Sequence, residues 1–144
     1  MKSEDVRVLV GYRMQEAHTA LADAEFLAAS NRSAQSIVNR AYYAMFYAVL
    51  ALAQYKGEIP AKHSGMLGLF DREFVHTGIF PREMSKCLHA AFEHRQESDY
   101  QAAPPADPEQ AGETLAAARV FVECIGKWLE SQYPGGAGKR EGNN

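Results

Sequence analysis

Ten consecutive residues, Ala41-Tyr42-Tyr43-Ala44-Met45-Phe46-Tyr47-Ala48-Val49-Leu50, are apolar or aromatic and carry no charge. They lie inside a longer helical stretch, about residues 34–56, that follows a cap-type Ser33 and stops at Gly57, a residue suited to a left-handed helix end. At about 100° per residue, Ile37, Ala41, Met45, Ala48 and Leu52 form one stripe. Arg40, Tyr43 and Tyr47 form a second, and Phe46 and Leu50 point in a third direction. A helix that is apolar all round belongs at the centre of a bundle or is shared with a second chain. It is too short and too rich in tyrosine to be read as a bilayer span, which needs roughly 18–20 apolar residues.

The flanking sequence supplies partners for that helix. Residues 4–30 repeat apolar side chains at Val6, Val10, Met14, Ala17, Leu21, Ala24 and Leu27, the three-and-four spacing of a single helix face. After a loop over 58–65 containing Pro60, a short helix runs through Met66, Leu67, Leu69, Phe70, Phe74 and Val75 to Gly78. Pro81 suits the first turn of a fourth helix, about 81–101, with Met84, Cys87, Leu88, Ala91 and Phe92 inward. Two prolines in residues 102–106 interrupt the chain. Asp107-Pro108-Glu109-Gln110 then opens a fifth helix to about Gln132, with Leu115, Ala118, Val122, Ile125 and Leu129 inward. The pattern predicts an all-α fold, an antiparallel up-and-down bundle of four long helices plus one short one. It forms one domain over residues 1–133, and the Gly-rich residues 134–144 read as a flexible tail.

Composition narrows the function. A net charge of −3 leaves no global basic field to attract nucleic acid, so any such binding has to be local. The first residues lack the basic-then-apolar order of a signal peptide, which places the chain in the cytoplasm, with no membrane partner. Cys87 and Cys124 fall in apolar helical patterns and read as core residues. No two histidines stand at i,i+4 and no Gly-rich phosphate loop is present, so neither a metal nor a cofactor is expected. His18, His76 and His89 read as surface side chains.

The fourth helix breaks its own pattern. Its inward stripe Met84, Leu88, Ala91 continues into Arg95 and Asp99, both within roughly 60° of Met84. A charge on the packed face is costly unless it is paired or lines a wet cleft. The two residues therefore form either an i,i+4 pair where the helix leaves the core or a polar pocket in which Arg95 grips an anion.

Four stretches in the middle of the chain resemble the HEPN family of helical bundles: residues 39–47 (Asn39-Arg40-Ala41 through Tyr47), Lys62-His63-Ser64-Gly65, the segment from Phe70 to Gly78, and Arg95 to Tyr100. The resemblance implies a helical bundle, commonly a homodimer, and in many prokaryotic members a minimal nucleotidyltransferase partner in a toxin–antitoxin system. Ribonuclease members of that family carry an Arg followed after four to six residues by a His, a pair that forms a metal-independent site across the dimer. Here Arg95 is present, but Tyr100, Gln101 and Ala102 occupy the histidine positions. The expected function is a homodimeric module binding nucleotide or RNA through Arg95, Asp99, Tyr100, His63 and Arg40, with Tyr43 and Tyr47 at the dimer interface. Arg95 is also the candidate catalytic residue. Two alternatives stand beside it: a metal-independent ribonuclease toxin in which His63 or His94 replaces the missing histidine, and a structural helical dimer with no ligand.

Overall fold

Several helix ends carry partners for their terminal backbone groups that the local sequence supplies. In the computed structural model, residues 3–99 and 106–133 are described, with side chains for 3–95 and 106–133. Helix α1 spans Ser3–Ala29, α2 Ala34–Lys56, α3 His63–Phe70, α4 Arg82–Asp99 and α5 Pro108–Ser131. Among the described residues every regular element is helical, and no helix is long and apolar enough to cross a membrane. The fold is the all-α bundle that the periodicity predicts.

The ends of α1 and α2 share one device. Asn31 (φ 55°) and Gly57 (φ 81°) each take the left-handed conformation. In each case the next N–H reaches back across the last turn, Arg32 to the Leu27 carbonyl at 2.9 Å and Glu58 to the Ala53 carbonyl at 3.1 Å. Asn tolerates this backbone region better than other non-glycine residues, which suits it to the α1–α2 turn. Ser33 then caps α2 by accepting from the Ser36 N–H at 3.1 Å. At α5, Asp107 accepts from the Gln110 N–H at 2.8 Å, while Gln110 Oε1 accepts from the Asp107 N–H at 3.0 Å.

Helix α2 is the axis of the bundle, packed by α1, α3, α4 and α5. Tyr42, Met45, Val49 and Leu52 are wholly buried, and Leu88 of α4 and Phe121, Val122 and Ile125 of α5 join them in one core. The all-round apolar character of α2 is thus largely satisfied within the chain. Tyr43, Phe46, Tyr47 and Leu50 remain half-buried.

Two elements differ from expectation. The third helix begins at His63, so Gly65 is helical and not part of the loop. A Cβ at Gly65 would lie 2.9 Å from Pro60 Cβ, and the glycine is what lets the loop lie against this first turn. Beyond Phe70 the helix widens over Asp71–Val75 into i→i−5 bonding, with the His76 N–H reaching the Asp71 carbonyl at 2.8 Å. Asp71 in this turn accepts from Ser85 Oγ (2.6 Å) and pairs with His89 Nε2 (2.8 Å), tying the wide turn to α4. His89 is therefore an inter-element contact, not a bare surface residue. Cys87 and Cys124 are half-buried at the core edge instead of within it. Residues 134–144, read from sequence as a tail, lie outside the described residues.

Asp107→Ala should cost about 1 kcal/mol, within the usual 0.5–2 kcal/mol for a helix cap. Urea unfolding should show a lower midpoint at unchanged slope, whereas an unaltered midpoint would mean the capping box contributes nothing to α5.

Candidate functional site

Three helices bring rings and charges together at one end of the core. Helix α2 contributes Tyr42, Tyr43 and Phe46, the first residue of α3 is His63, and the last turns of α4 supply Phe92 and Arg95. Tyr42 is wholly buried, so its hydroxyl needs a partner inside the protein. That partner is His63 Nδ1 at 2.8 Å. The imidazole also stacks on Phe46, with centroids 4.1 Å apart and planes 15° from parallel, and meets Tyr43 edge-on at 5.9 Å. Arg95 Cζ lies 5.3 Å from the Tyr42 ring centre, 5.6 Å from Phe92 and 5.8 Å from Tyr43. Periodicity points Arg95 inward; the rings of α2 and α4 are what receive it, by cation–π attraction.

The electrostatics follow from burial. Burial pushes the Tyr42 phenol well above its ordinary value of 10, although the nearby Arg95 charge pulls it down. Burial, and then the Arg95 charge, lower His63 below its usual 6.5. Both groups are therefore neutral near pH 7, and a single hydrogen bond joins them. Among the described residues the Tyr42 hydroxyl has His63 as its one hydrogen-bond partner. Donating to Nδ1 is the arrangement that leaves no buried O–H unsatisfied, and it places the imidazole proton on Nε2. The edge of His63 away from Tyr42 then carries an N–H donor, not a lone pair. A guanidinium beside a neutral N–H donor suits an anion.

Arg40 sits one turn before Tyr43 and belongs to the neighbourhood without joining the imidazole. Its Cζ lies 5.2 Å from the Tyr43 ring centre, and Asn39 Oδ1 accepts from its Nε and Nη2 at 3.3 Å each. Tyr47 is 6.0 Å from Tyr43 in the same ladder of rings. Among the described residues His94 is not part of the cluster. Asp99 is the last residue of α4, with its side chain outside the description, and Tyr100 lies outside the described residues altogether. Tyr42, Phe46 and Phe92 were not singled out by spacing as site residues. The one sequence signal for Tyr42 was a hydroxyl on an apolar face, which demands a polar partner without naming it.

Comparison with known proteins assigns the fold to a family. The model of the HEPN domain matches residues 10–128, most of the chain. The chain belongs to the HEPN family. Among its relatives is a "UPF0332 protein" of Thermotoga maritima, 38% identical over 85% of this chain and 92% of that one. "Putative toxin MJ0142" of Methanocaldococcus jannaschii is 37% identical over 66% of this chain and 65% of its own. "Putative toxin MJ0605" of the same organism is 29% identical over 89% of this chain and 94% of its own. The HEPN match covers the helices that build the cluster and stops before Tyr133.

Removing the Arg95 charge should raise the His63 pKa, while burial still holds it below 6.5. The folded chain binds this proton more weakly than the unfolded chain does. Stability is therefore lost as pH falls from 6.5 through the lower folded value, and the loss should be smaller in Arg95→Met. NMR titration of the His63 ring in parent and variant measures the shift, and an unchanged midpoint would remove Arg95 from the electrostatics of the imidazole.

Proposed function

We propose that this HEPN protein is a toxin-type module that binds a nucleotide or RNA phosphate at the Arg95–His63 cluster and acts with a nucleotidyltransferase partner. The observation that carries the reading is the Tyr42–His63 hydrogen bond of 2.8 Å, which orients the imidazole as an N–H donor beside a guanidinium laid over three rings. A guanidinium held against rings loses little freedom when it forms two parallel hydrogen bonds to a phosphate. The names of the two archaeal relatives support the toxin part of the reading, and the family resemblance supports the partner. A gene for a small nucleotidyltransferase beside this one is what that pairing requires.

Cleavage of RNA would need a base. The histidine of the family's ribonuclease motif is absent after Arg95, and His63 held as a donor is poorly arranged to take a ribose proton. Calorimetry with AMP, ATP and a short RNA should show binding in the micromolar to millimolar range that weakens as salt rises. Arg95→Lys should weaken it by about tenfold or more, the equivalent of one charge-assisted hydrogen bond. No binding, or equal binding by Arg95→Lys, would dismiss the reading. Cleavage that survives EDTA and is lost in His63→Ala would replace it with the ribonuclease reading.

The half-buried rings Tyr43 and Tyr47 favour a second reading, in which a second copy of the chain covers this face of α2. In that case sedimentation of the parent shows a dimer at micromolar concentration, and Tyr47→Glu gives monomers because a buried unpaired carboxylate is costly. A parent that sediments as a monomer leaves the face open.

A further inference from the structure

Gly11 of α1 and Gly126 of α5 both stand inside long helices, where glycine is less stable than alanine. Packing within the chain requires neither. A Cβ at Gly11 would meet nothing within 4 Å, and one at Gly126 would meet only the flexible end of Met14, whose Cε lies 3.4 Å away. Both glycines instead open onto one groove of about 260 Å³ between α1 and α5, with Val10, Met14 and Leu129 along its apolar part. The missing side chains are what keep that groove open.

One end of the groove carries a charge of each sign. Arg7 stands one turn before Gly11, and Glu130 one turn after Gly126, and both line the groove. The contacts of Arg7 with Tyr133 and of Met14 with Gly126 show that α1 and α5 run antiparallel here, as does the Arg119–Glu25 pair (2.6 Å) farther along. Glu130 therefore comes level with Val10 and Gly11, about one turn from Arg7. Arg7 Cζ lies 5.1 Å from the Tyr133 ring centre, and Tyr55 meets the same ring edge-on at 6.0 Å. Among the described residues neither Arg7 nor Glu130 joins an ion pair. A cation and an anion thus stand side by side, each with its polar atoms open to a ligand.

The complement of this surface has three parts in order: a carboxylate for Arg7, an ammonium for Glu130, and an apolar group for the stretch beyond. A guanidinium laid over a ring keeps its N–H edge for a carboxylate in fork geometry. A simple anion would be repelled by Glu130 and a simple cation by Arg7, whereas a zwitterion suits both. Size points the same way, because the groove is smaller than the roughly 300–1,000 Å³ of pockets that hold drug-sized ligands. We propose that the α1–α5 groove binds a free α-amino acid with an apolar side chain. Its carboxylate lies on Arg7, its ammonium on Glu130, and its side chain between Gly11 and Gly126 against Val10, Met14 and Leu129. The groove shares no residue with the His63 cluster, so this site stands or falls apart from nucleotide binding there.

The test is amide NMR of the full chain titrated with L-leucine, with L-leucinamide, which lacks the carboxylate, and with N-acetyl-L-leucine, which lacks the ammonium. Leucine should move the Gly11 and Gly126 signals with a Kd of roughly millimolar order, and each analogue should bind about fivefold or more weakly. In Arg7→Met, leucine should bind no better than leucinamide, and in Glu130→Gln no better than N-acetyl-leucine. Gly11→Leu should abolish leucine binding and raise the thermal midpoint, because its side chain fills the groove and suits a helix better than glycine does. The same spectra report whether each variant is folded. The proposal is overturned if about 20 mM leucine, well above the expected Kd, leaves both glycine signals in place. It is also overturned if leucine binds all three variants as it binds the parent. Glycine signals that move on dilution of the protein but not with leucine would put a second copy of the chain in the groove, and would overturn it as well.

Discussion

A helix that is apolar on every side needs neighbours on every side, and this bundle is the set of neighbours that Ala34–Lys56 requires. Helices α1, α4 and α5 cover three of its directions and α3 closes over part of a fourth. The same requirement creates the His63 cluster. Tyr42 puts one hydroxyl into a surface with no polar company of its own, and leaving that hydroxyl dry would cost roughly 1–3 kcal/mol. His63 answers it, and in doing so brings an imidazole to within reach of Arg95. The chemistry of the site thus grows out of a packing problem on α2.

Much of this was legible in the order of residues, and the unread parts have physical reasons. Asp107-Pro108-Glu109-Gln110 and Ser33 act locally, over three or four residues, and their roles follow from the sequence alone. The apolar girth of α2 said that it would be surrounded, but not whether by its own chain or a second one. The wide turn at Asp71–Val75 carries no local sequence mark, and its contacts with Ser85 and His89 join residues 14 and 18 positions apart. Periodicity aimed Arg95 inward but could not say what would receive it. The answer, Tyr42 and Tyr43 more than fifty positions earlier beside Phe92 of its own helix, is mainly a matter of how helices cross. Gly65 reads as loop in the sequence because no side-chain cap at Lys62 marks the start of α3 at His63.

Charge also looks different at the two scales. The chain as a whole is acidic, at −3, and offers no long-range pull to a polyanion. At the His63 cluster the guanidinium groups of Arg95 and Arg40 lie against aromatic rings. An anion would gain little from electrostatic steering toward such a chain and would depend on short-range contacts.

The only tryptophan of the chain, Trp128, stands at the other end of this arrangement. Its indole meets Tyr55, Phe74 and Phe80 edge-on at 5.4, 5.5 and 5.9 Å, and none of these rings belongs to the His63 cluster. Phe74 lies within the wide turn, so the indole reads the junction of α2, α5 and that turn. The protein therefore carries a built-in fluorescent reporter that follows the seating of the wide turn and makes no direct contact with the His63 cluster. A change in its emission on adding a ligand would mean that the two ends of the bundle communicate.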